Sequence, residues 1–378
     1  MRISKIIGLA LMFLWMGIQA SLAQEQDFSY RRSSVYSILL KHSEQKYDEA
    51  IADAFMDMAI PDMFNDHDLS VKVVAVPGKE FVSQALIDQF MEKNHVASRL
   101  VAKWFDWDFQ NGQCDIELIK KRGLYDASEV DKAMASKSFR GVAMLEDAGE
   151  ELIGNTFVLV NDIRYDLGSI FNGGLLGGLT GMASLRGFKV QITTYLYQLV
   201  WNEETAYDFY ENYFSWEPDM ARRDAFIKAR GKYKLKYIGS QESKGKSTSS
   251  TGLSTPHQML MKACQRALDE NIATLQTNFE AFKIKVPLLS TKPITAPIGK
   301  KEGLTAESEF EVLEKRVDKK GKLTYERVGI LVPIEELIWD NRYMAVEEKA
   351  YNADLKYTTF KKKSGGRLNP GMLIRQIK

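Results

Sequence analysis

The run Phe188 to Trp201 constrains this chain more than any other stretch, because its apolar residues alternate with the period of a β-strand. Val190, Ile192, Leu196 and Val200 fall on one side, and Lys189, Gln191, Thr193, Tyr195 and Tyr197 on the other. Such a strand needs a core against its first side and leaves the second side wet or aromatic. The following Asn202-Glu203-Glu204-Thr205 is expected to turn the chain back as a hairpin into Tyr207 to Phe214.

Further elements assemble around this strand. Ser34 to Leu40, Leu69 to Val76, Cys114 to Ile119, Thr156 to Tyr165 and Tyr233 to Ile238 read as strands from their β-branched and aromatic content. Tyr47, Ile51, Ala54, Phe55 and Met58 recur at helical spacing until Pro61, and Phe81 to Phe105 reads as a long helix broken near Asn94. A capping box at Ser128 and Asp131 opens a helix to Ala135, Val142 to Leu152 forms another, and Pro218 suits the first turn of a helix to Arg230. The stretch 239–255, rich in Ser, Lys, Gly and Thr, reads as a flexible linker, and His257 to Lys283 as a long amphipathic helix.

Beyond residue 285 the pattern changes. Pro287, Pro293 and Pro297 punctuate a linker, and strands are expected over Phe310 to Arg316, Thr324 to Pro333 and Met372 to Ile377, separated by turn signals such as Asp318-Lys319-Lys320-Gly321. The expected fold is an α/β (or α+β) main domain with a mixed sheet over 24–285, carrying a glycine-rich insertion at 168–187. A small all-β, barrel-like domain over 290–378 follows it.

Residues 1–23 read as a signal peptide. Arg2 and Lys5 make a positive start, Ile6 to Ile18 is an uncharged apolar run, and Ser21-Leu22-Ala23 offers small residues for cleavage before Gln24. The run is short for a membrane span of about 20 residues, and no cysteine follows the cut to carry a lipid. The protein is therefore expected to be exported to the periplasm or cell envelope. Losing Arg2 and Lys5 takes the chain from 51 basic and 50 acidic residues to 49 and 50, a balance that excludes nucleic acid as the main partner. Cys114 and Cys264 are the only cysteines, too few for a disulfide framework or a cysteine zinc site. Export permits one long-range bond between them, and buried free thiols fit equally well.

No catalytic motif stands out, so no catalytic residue, metal or cofactor is assigned. Gly173, Gly174, Gly177, Gly178 and Gly181 repeat at small-xxx-small spacing within an uncharged segment. That segment reads as a loop or tight insertion, with self-association or membrane contact as the functional alternative; no Lys-Ser/Thr follows to make it a phosphate loop. Asp66-His67-Asp68, with Asp62 nearby, reads as a solvated turn sooner than a metal site, and no second histidine supports His95 as a catalytic base. Gly168-Ser169 lacks the rest of a Gly-x-Ser-x-Gly elbow. Glu150-Glu151, Glu203-Glu204 and Glu335-Glu336 read as exposed surface. The aromatic cluster from Tyr195, Tyr197, Trp201 and Tyr207 to Trp216 reads first as packing and second as a surface for sugars or a partner.

The order of elements resembles the periplasmic domains of curli-secretion and flagellar-rim type envelope proteins. The resemblance is carried by the helix around Val96 to Val101, the segment Ile116 to Arg122, the helix after Asp126, the run Ala148 to Val160 and the strand Lys189 to Trp201 with its turn. Glu309 to Ile330 and Asn369 to Ile374 are similar to the small β domains of those proteins. The likeness spans most of residues 65 to 378. It implies a non-enzymatic envelope protein that self-associates or binds an envelope partner, with membrane contact through the glycine-rich segment or the aromatic hairpin. The chain departs from the secretion-channel members by lacking a lipidation cysteine. The alternative is a secreted hydrolase or carbohydrate-binding protein using clustered carboxylates and aromatics, and it requires two acids and an aromatic to converge in one concave pocket.

Overall fold

The computed structural model describes residues 33–45, 47–61, 63–78, 80–125, 151–165, 186–249, 255–283, 285–317 and 323–378. The leader, the capping box at Ser128, most of the helix Val142 to Leu152, and Gly173, Gly174, Gly177, Gly178 and Gly181 lie outside the described residues. Content is mixed α/β, with a mixed sheet and a separate, curled antiparallel half-barrel sheet toward the C-terminus.

The mixed sheet is built from β1 (Ser33–His42), β2 (Phe64–Asp66), β3 (Val73–Val76), β4 (Thr156–Tyr165), β5 (Arg186–Leu199) and β6 (Leu235–Ser249). β1 runs parallel to β2, β3 and β4, while β5 and β6 continue the sheet antiparallel, giving the order β2-β1-β4-β5-β6 with β3 also on β1. Helices cover both faces. On one face α2 (Gln84–Lys93), α3 (Val96–Trp104), α4 (Glu117–Tyr125), α5 (Glu203–Asn212) and α6 (Met220–Ala229) bring Ile87, Leu100, Trp104, Phe209 and Phe226 to Tyr36, Val158, Tyr197 and Leu199. On the other, α1 (Asp48–Met56) and α7 (Pro256–Asn278) bring Phe55, Leu260, Ala263, Leu268 and Ile272 to Leu39, Leu159, Ile192 and Leu196. The second side of β5 is an aromatic core at Tyr197 and Leu199 and stays half-exposed at Lys189, Gln191 and Thr193, matching the wet or aromatic face expected. A fully buried side chain of this size contributes about 1.5–3 kcal/mol, so burial on both faces makes this sheet the frame of the molecule.

Several expectations are corrected. Asn202 does not turn a hairpin: its Oδ1 accepts the Thr205 amide at 2.9 Å, which caps α5, so Tyr207 to Asn212 is helix. Cys114 to Ile119 is not a strand, because α4 begins at Glu117. The supposed linker 239–255 is strand as far as Ser249, paired with β5 along its length. Its sheet-facing residues Ser243, Gly245 and Ser247 are buried, while Glu242, Lys244 and Lys246 are exposed. α7 crosses directly over this strip of small residues, and Ser243 Oγ donates to the Ala267 carbonyl at 2.7 Å. Cys114 and Cys264 are free and buried, one in each core on opposite faces of the sheet, so they form no disulfide.

The half-barrel follows the order β7-β13-β10-β11-β12-β9-β8. β7 (Val286–Pro287), β8 (Ser290–Thr291) and β9 (Ile294–Ala296) occupy the proline-punctuated stretch expected to be linker. β10 (Phe310–Val317), β11 (Leu323–Pro333) and β13 (Leu373–Gln376) fall where expected, and β12 (Thr358–Gly365) was not anticipated. Phe310, Val312, Leu331, Phe360 and Ile374 form their core.

α7 joins the two sheets. Arg266 on α7 donates to Glu348 in the loop before β12 at 2.6 Å, and Glu280, in the turn just after α7, pairs with Arg375 on β13. Asp269 is 5 % exposed, accepts from Gln265 at 3.0 Å, and has its Oδ2 without a partner among the described residues. Burial pushes its carboxyl up from 3.8 to about 6, against the opposing pull of Lys301. A raised folded-state value means that the stability tied to this group is complete below the ordinary carboxylate value and is lost as pH rises through about 6. Relative to wild type, Asp269→Asn is expected to gain about 2–3 kcal/mol between pH 4 and pH 7, since each tenfold change in proton affinity on folding corresponds to about 1.4 kcal/mol. Urea unfolding at both values checks this, and a wild-type-minus-variant difference that is flat with pH contradicts it.

Candidate ligand-binding cleft

A cleft of about 450 Å³ opens on the first face of the mixed sheet, between α2, the start of α3 and the segment leading into β6. Its position follows from an irregularity in strand pairing. Leu196 pairs with Gly239 but Tyr197 pairs with Tyr237, so Ile238 is an extra residue on β6. This bulge re-aims the strand and sets Tyr197 opposite Tyr237, with ring centroids 5.3 Å apart. Both tyrosines line the cleft, together with Tyr233.

One wall is α2. Its Asp88, Met91 and Glu92 share the helix face that meets the sheet, at the i, i+3 and i+4 spacing. Asp88 Oδ1 accepts the Tyr197 hydroxyl at 2.7 Å. Burial, reinforced by that bonded carboxylate, pushes the Tyr197 hydroxyl far above the usual phenol value, so it stays protonated and donates. The opposite wall is the tight turn Arg230–Lys232 and the residues after it. Lys234 reaches across to Glu92 at 3.0 Å, an exposed pair worth at most about 1 kcal/mol. Arg230 donates its Nε–H to Ile227 O at 3.1 Å. His95, in the left-handed conformation between α2 and α3 with φ 51°, lies at the edge of the cleft.

The cleft gathers carboxylate acceptors, cationic donors and aromatic rings over a floor with Leu235 and Ala97. Carboxylates accept from hydroxyls and ammonium groups, guanidinium donates in a planar fork, and a phenol ring offers an apolar face. That combination suits a polar ligand with an apolar face.

The sequence-predicted residues are distributed differently. Tyr197 is 2 % exposed, while Tyr195 and Trp201 are half-buried against the same core, Tyr195 donating its hydroxyl to Val82 O at 2.8 Å. Tyr207 is 69 % exposed on α5. Of these four, only Tyr197 lines the cleft. Phe209, from the same cluster, is a core residue whose ring lies tilted against Phe105, centroids 4.2 Å apart. Glu203, Glu204, Glu335 and Glu336 are exposed, as expected.

His67 lies neither in a solvated turn nor at a metal site. It is fully buried, its Nε2 donates to Leu100 O at 3.1 Å, and its Nδ1 accepts from Arg122 at 3.0 Å. Burial and the Arg122 charge hold it neutral down to about 3. Among the described residues, no group of three His, Cys, Asp or Glu side chains could hold a metal ion, and no helix is long and apolar enough to cross a membrane. Asp88, Glu92, Arg230, Tyr233 and Tyr237 were missed because strand pairing, and no local motif, brings them together. No protein-family model matches the chain, and no curated protein matches it.

Proposed function

We propose that this is an exported envelope protein that works by binding, and that the ligand of its cleft is a saccharide. The observation that carries the reading is the convergence of Asp88 and Glu92 with the half-buried ring of Tyr237 in one concave site, backed by the buried rings of Tyr197 and Tyr233. Sugars present hydroxyls to carboxylates and C–H faces to aromatic rings, and this cleft supplies both. The leader at residues 1–23 supports export, and the near-neutral charge speaks against nucleic acid.

Binding is favoured over hydrolysis by where the acids stand. A glycosidase needs two carboxyl groups flanking the scissile bond, whereas Asp88 and Glu92 are one turn apart on a single wall, Asp88 already bonded to Tyr197 and Glu92 to Lys234. In this reading the half-barrel is a small barrel-like domain that holds α7 and presents the assembly to the envelope.

A second reading, assembly with a copy or an envelope partner, is favoured by one further observation. Phe109, Trp216 and Met220 are 44 %, 53 % and 54 % exposed, and the backbone around them is tied together by Gln113 donating to Trp216 O and Arg223 donating to Phe109 O. This is the kind of exposed apolar surface used for contact, and it takes over the role expected of the aromatic hairpin.

Calorimetric titration of the purified protein with soluble oligosaccharides tests the first reading. Tyr237→Ala is expected to weaken binding about tenfold or more, equivalent to about 1.4 kcal/mol, with a modest fall in melting temperature because the half-buried ring packs on the first-face core. Saturable binding that the variant leaves intact would place the sugar elsewhere. Absence of binding across neutral and charged oligosaccharides removes the reading and leaves assembly.

A further inference from the structure

We infer that the saccharide is an acidic one, whose carboxylate, sulfate or phosphate is received by Arg230 and His95; this rests on the saccharide reading above. Most polar groups of the cleft are already committed. Tyr197 and Asp88 satisfy each other at 2.7 Å, and Glu92 and Lys234 pair at 3.0 Å. The hydroxyl of Tyr233 is itself buried, so it offers nothing to a ligand in the cleft.

Besides the Tyr237 hydroxyl and the N–H groups that Lys234 does not spend on Glu92, two nitrogen groups are left with free donors among the described residues. Arg230 uses only its Nε, on Ile227 O, so both terminal nitrogens of the guanidinium are without a protein acceptor among the described residues. The His95 ring makes no hydrogen bond to a described residue, although the residue is half-buried. They stand on different elements, Arg230 at the end of α6 and His95 between α2 and α3, and both line the same cleft.

A guanidinium fork is matched by a planar or tetrahedral anion that takes two parallel N–H bonds, which a single sugar hydroxyl cannot do. The carboxylate lone pairs that Asp88 and Glu92 do not spend on Tyr197 and Lys234 accept from hydroxyls, so the ligand is oriented with its hydroxyls toward α2 and its anionic substituent toward Arg230. Tyr237 offers the ring between them.

The test compares glucuronic acid, glucose 6-sulfate, glucose 6-phosphate and glucose, each as the free sugar and, where soluble, within a disaccharide, on wild type, Arg230→Gln and Tyr237→Ala. Wild type is expected to bind at least one acidic sugar about tenfold more tightly than glucose, and which substituent wins separates the three anion sources. Arg230→Gln is expected to erase that preference, bringing the affinity for the acidic sugar down to that for glucose measured on the same variant, and Tyr237→Ala to weaken acidic and neutral sugars alike. Equal affinity for acidic and neutral sugars in wild type, or a preference that survives Arg230→Gln, overturns the inference and leaves the saccharide reading standing. Inorganic sulfate or phosphate binding as tightly as the corresponding sugar ester overturns both, since the sugar then contributes nothing.

Discussion

Gly245→Val is expected to abolish folding, and Gly245→Ala to cost about 3 kcal/mol, the upper end of what overpacking a tight interior costs. A Cβ at Gly245 would lie 1.9 Å from the Ala263 carbonyl oxygen and 2.9 Å from Ala267 Cβ. The first of these is helix backbone, which cannot rotate away as a flexible side chain would. α7 must lift off β6, and Leu260, Cys264 and Leu268 on the same helix would lose their packing with it. Gly231 is the internal control, since a Cβ there meets nothing within 4 Å, and Gly231→Ala is expected to melt like wild type. Urea unfolding of the three variants measures the contrast, and a Gly245→Ala protein as stable as Gly231→Ala would contradict the close crossing of α7 on β6.

Asp162→Ala is expected to cost about 3–5 kcal/mol, because it strips the partner from buried groups. Asp162 is fully buried at the end of β4, 2.7 Å from His42 Nε2 on the neighbouring strand, and it accepts from Arg164 Nε at 3.2 Å. Its other oxygen accepts the Val82 amide at 3.0 Å. Because Tyr195 donates to the carbonyl of that same Val82, the segment that launches α2 is held from both sides. Loss of Asp162 therefore acts at a distance on the cleft, whose acidic wall is α2. The variant is expected to unfold at markedly lower urea and to bind the cleft ligand more weakly, with Asp162→Asn intermediate because it keeps an acceptor for Val82. A loss below about 1 kcal/mol, the scale of an exposed pair, would contradict this account of the buried cluster.

How much of this was legible in the sequence depended on whether burial left a local mark. β1, β4 and β5 were readable because β-branched and aromatic residues crowd strands packed between two layers of helices, and α7 because Met261, Leu268, Ile272 and Leu275 repeat at helical spacing. β6 was readable only over Leu235 to Ile238, since beyond that its buried face is Ser243, Gly245 and Ser247: α7 needs small residues beneath it, and small polar residues read as linker. α5 was misread although Asn202 followed by Glu203 and Glu204 is a helix-start pattern; the aromatic run to Phe214 looked like a strand because its rings fill a core between α5, α6 and the sheet. The cleft left no local mark at all. Asp88, His95, Tyr197, Arg230 and Tyr237 come from separate parts of the chain, and only the bulge at Ile238 and the break between α2 and α3 set them around one space.

Whether a ligand sits in this space is tested most directly by Gly231→Trp. Gly231 lines the cleft and a Cβ there meets nothing within 4 Å, so an indole placed at this wall crowds the entrance without displacing the core. Titration of that variant with the saccharide that wild type binds is expected to show no binding at an unchanged melting temperature. Wild-type affinity in a protein whose cleft entrance is crowded in this way would contradict the account.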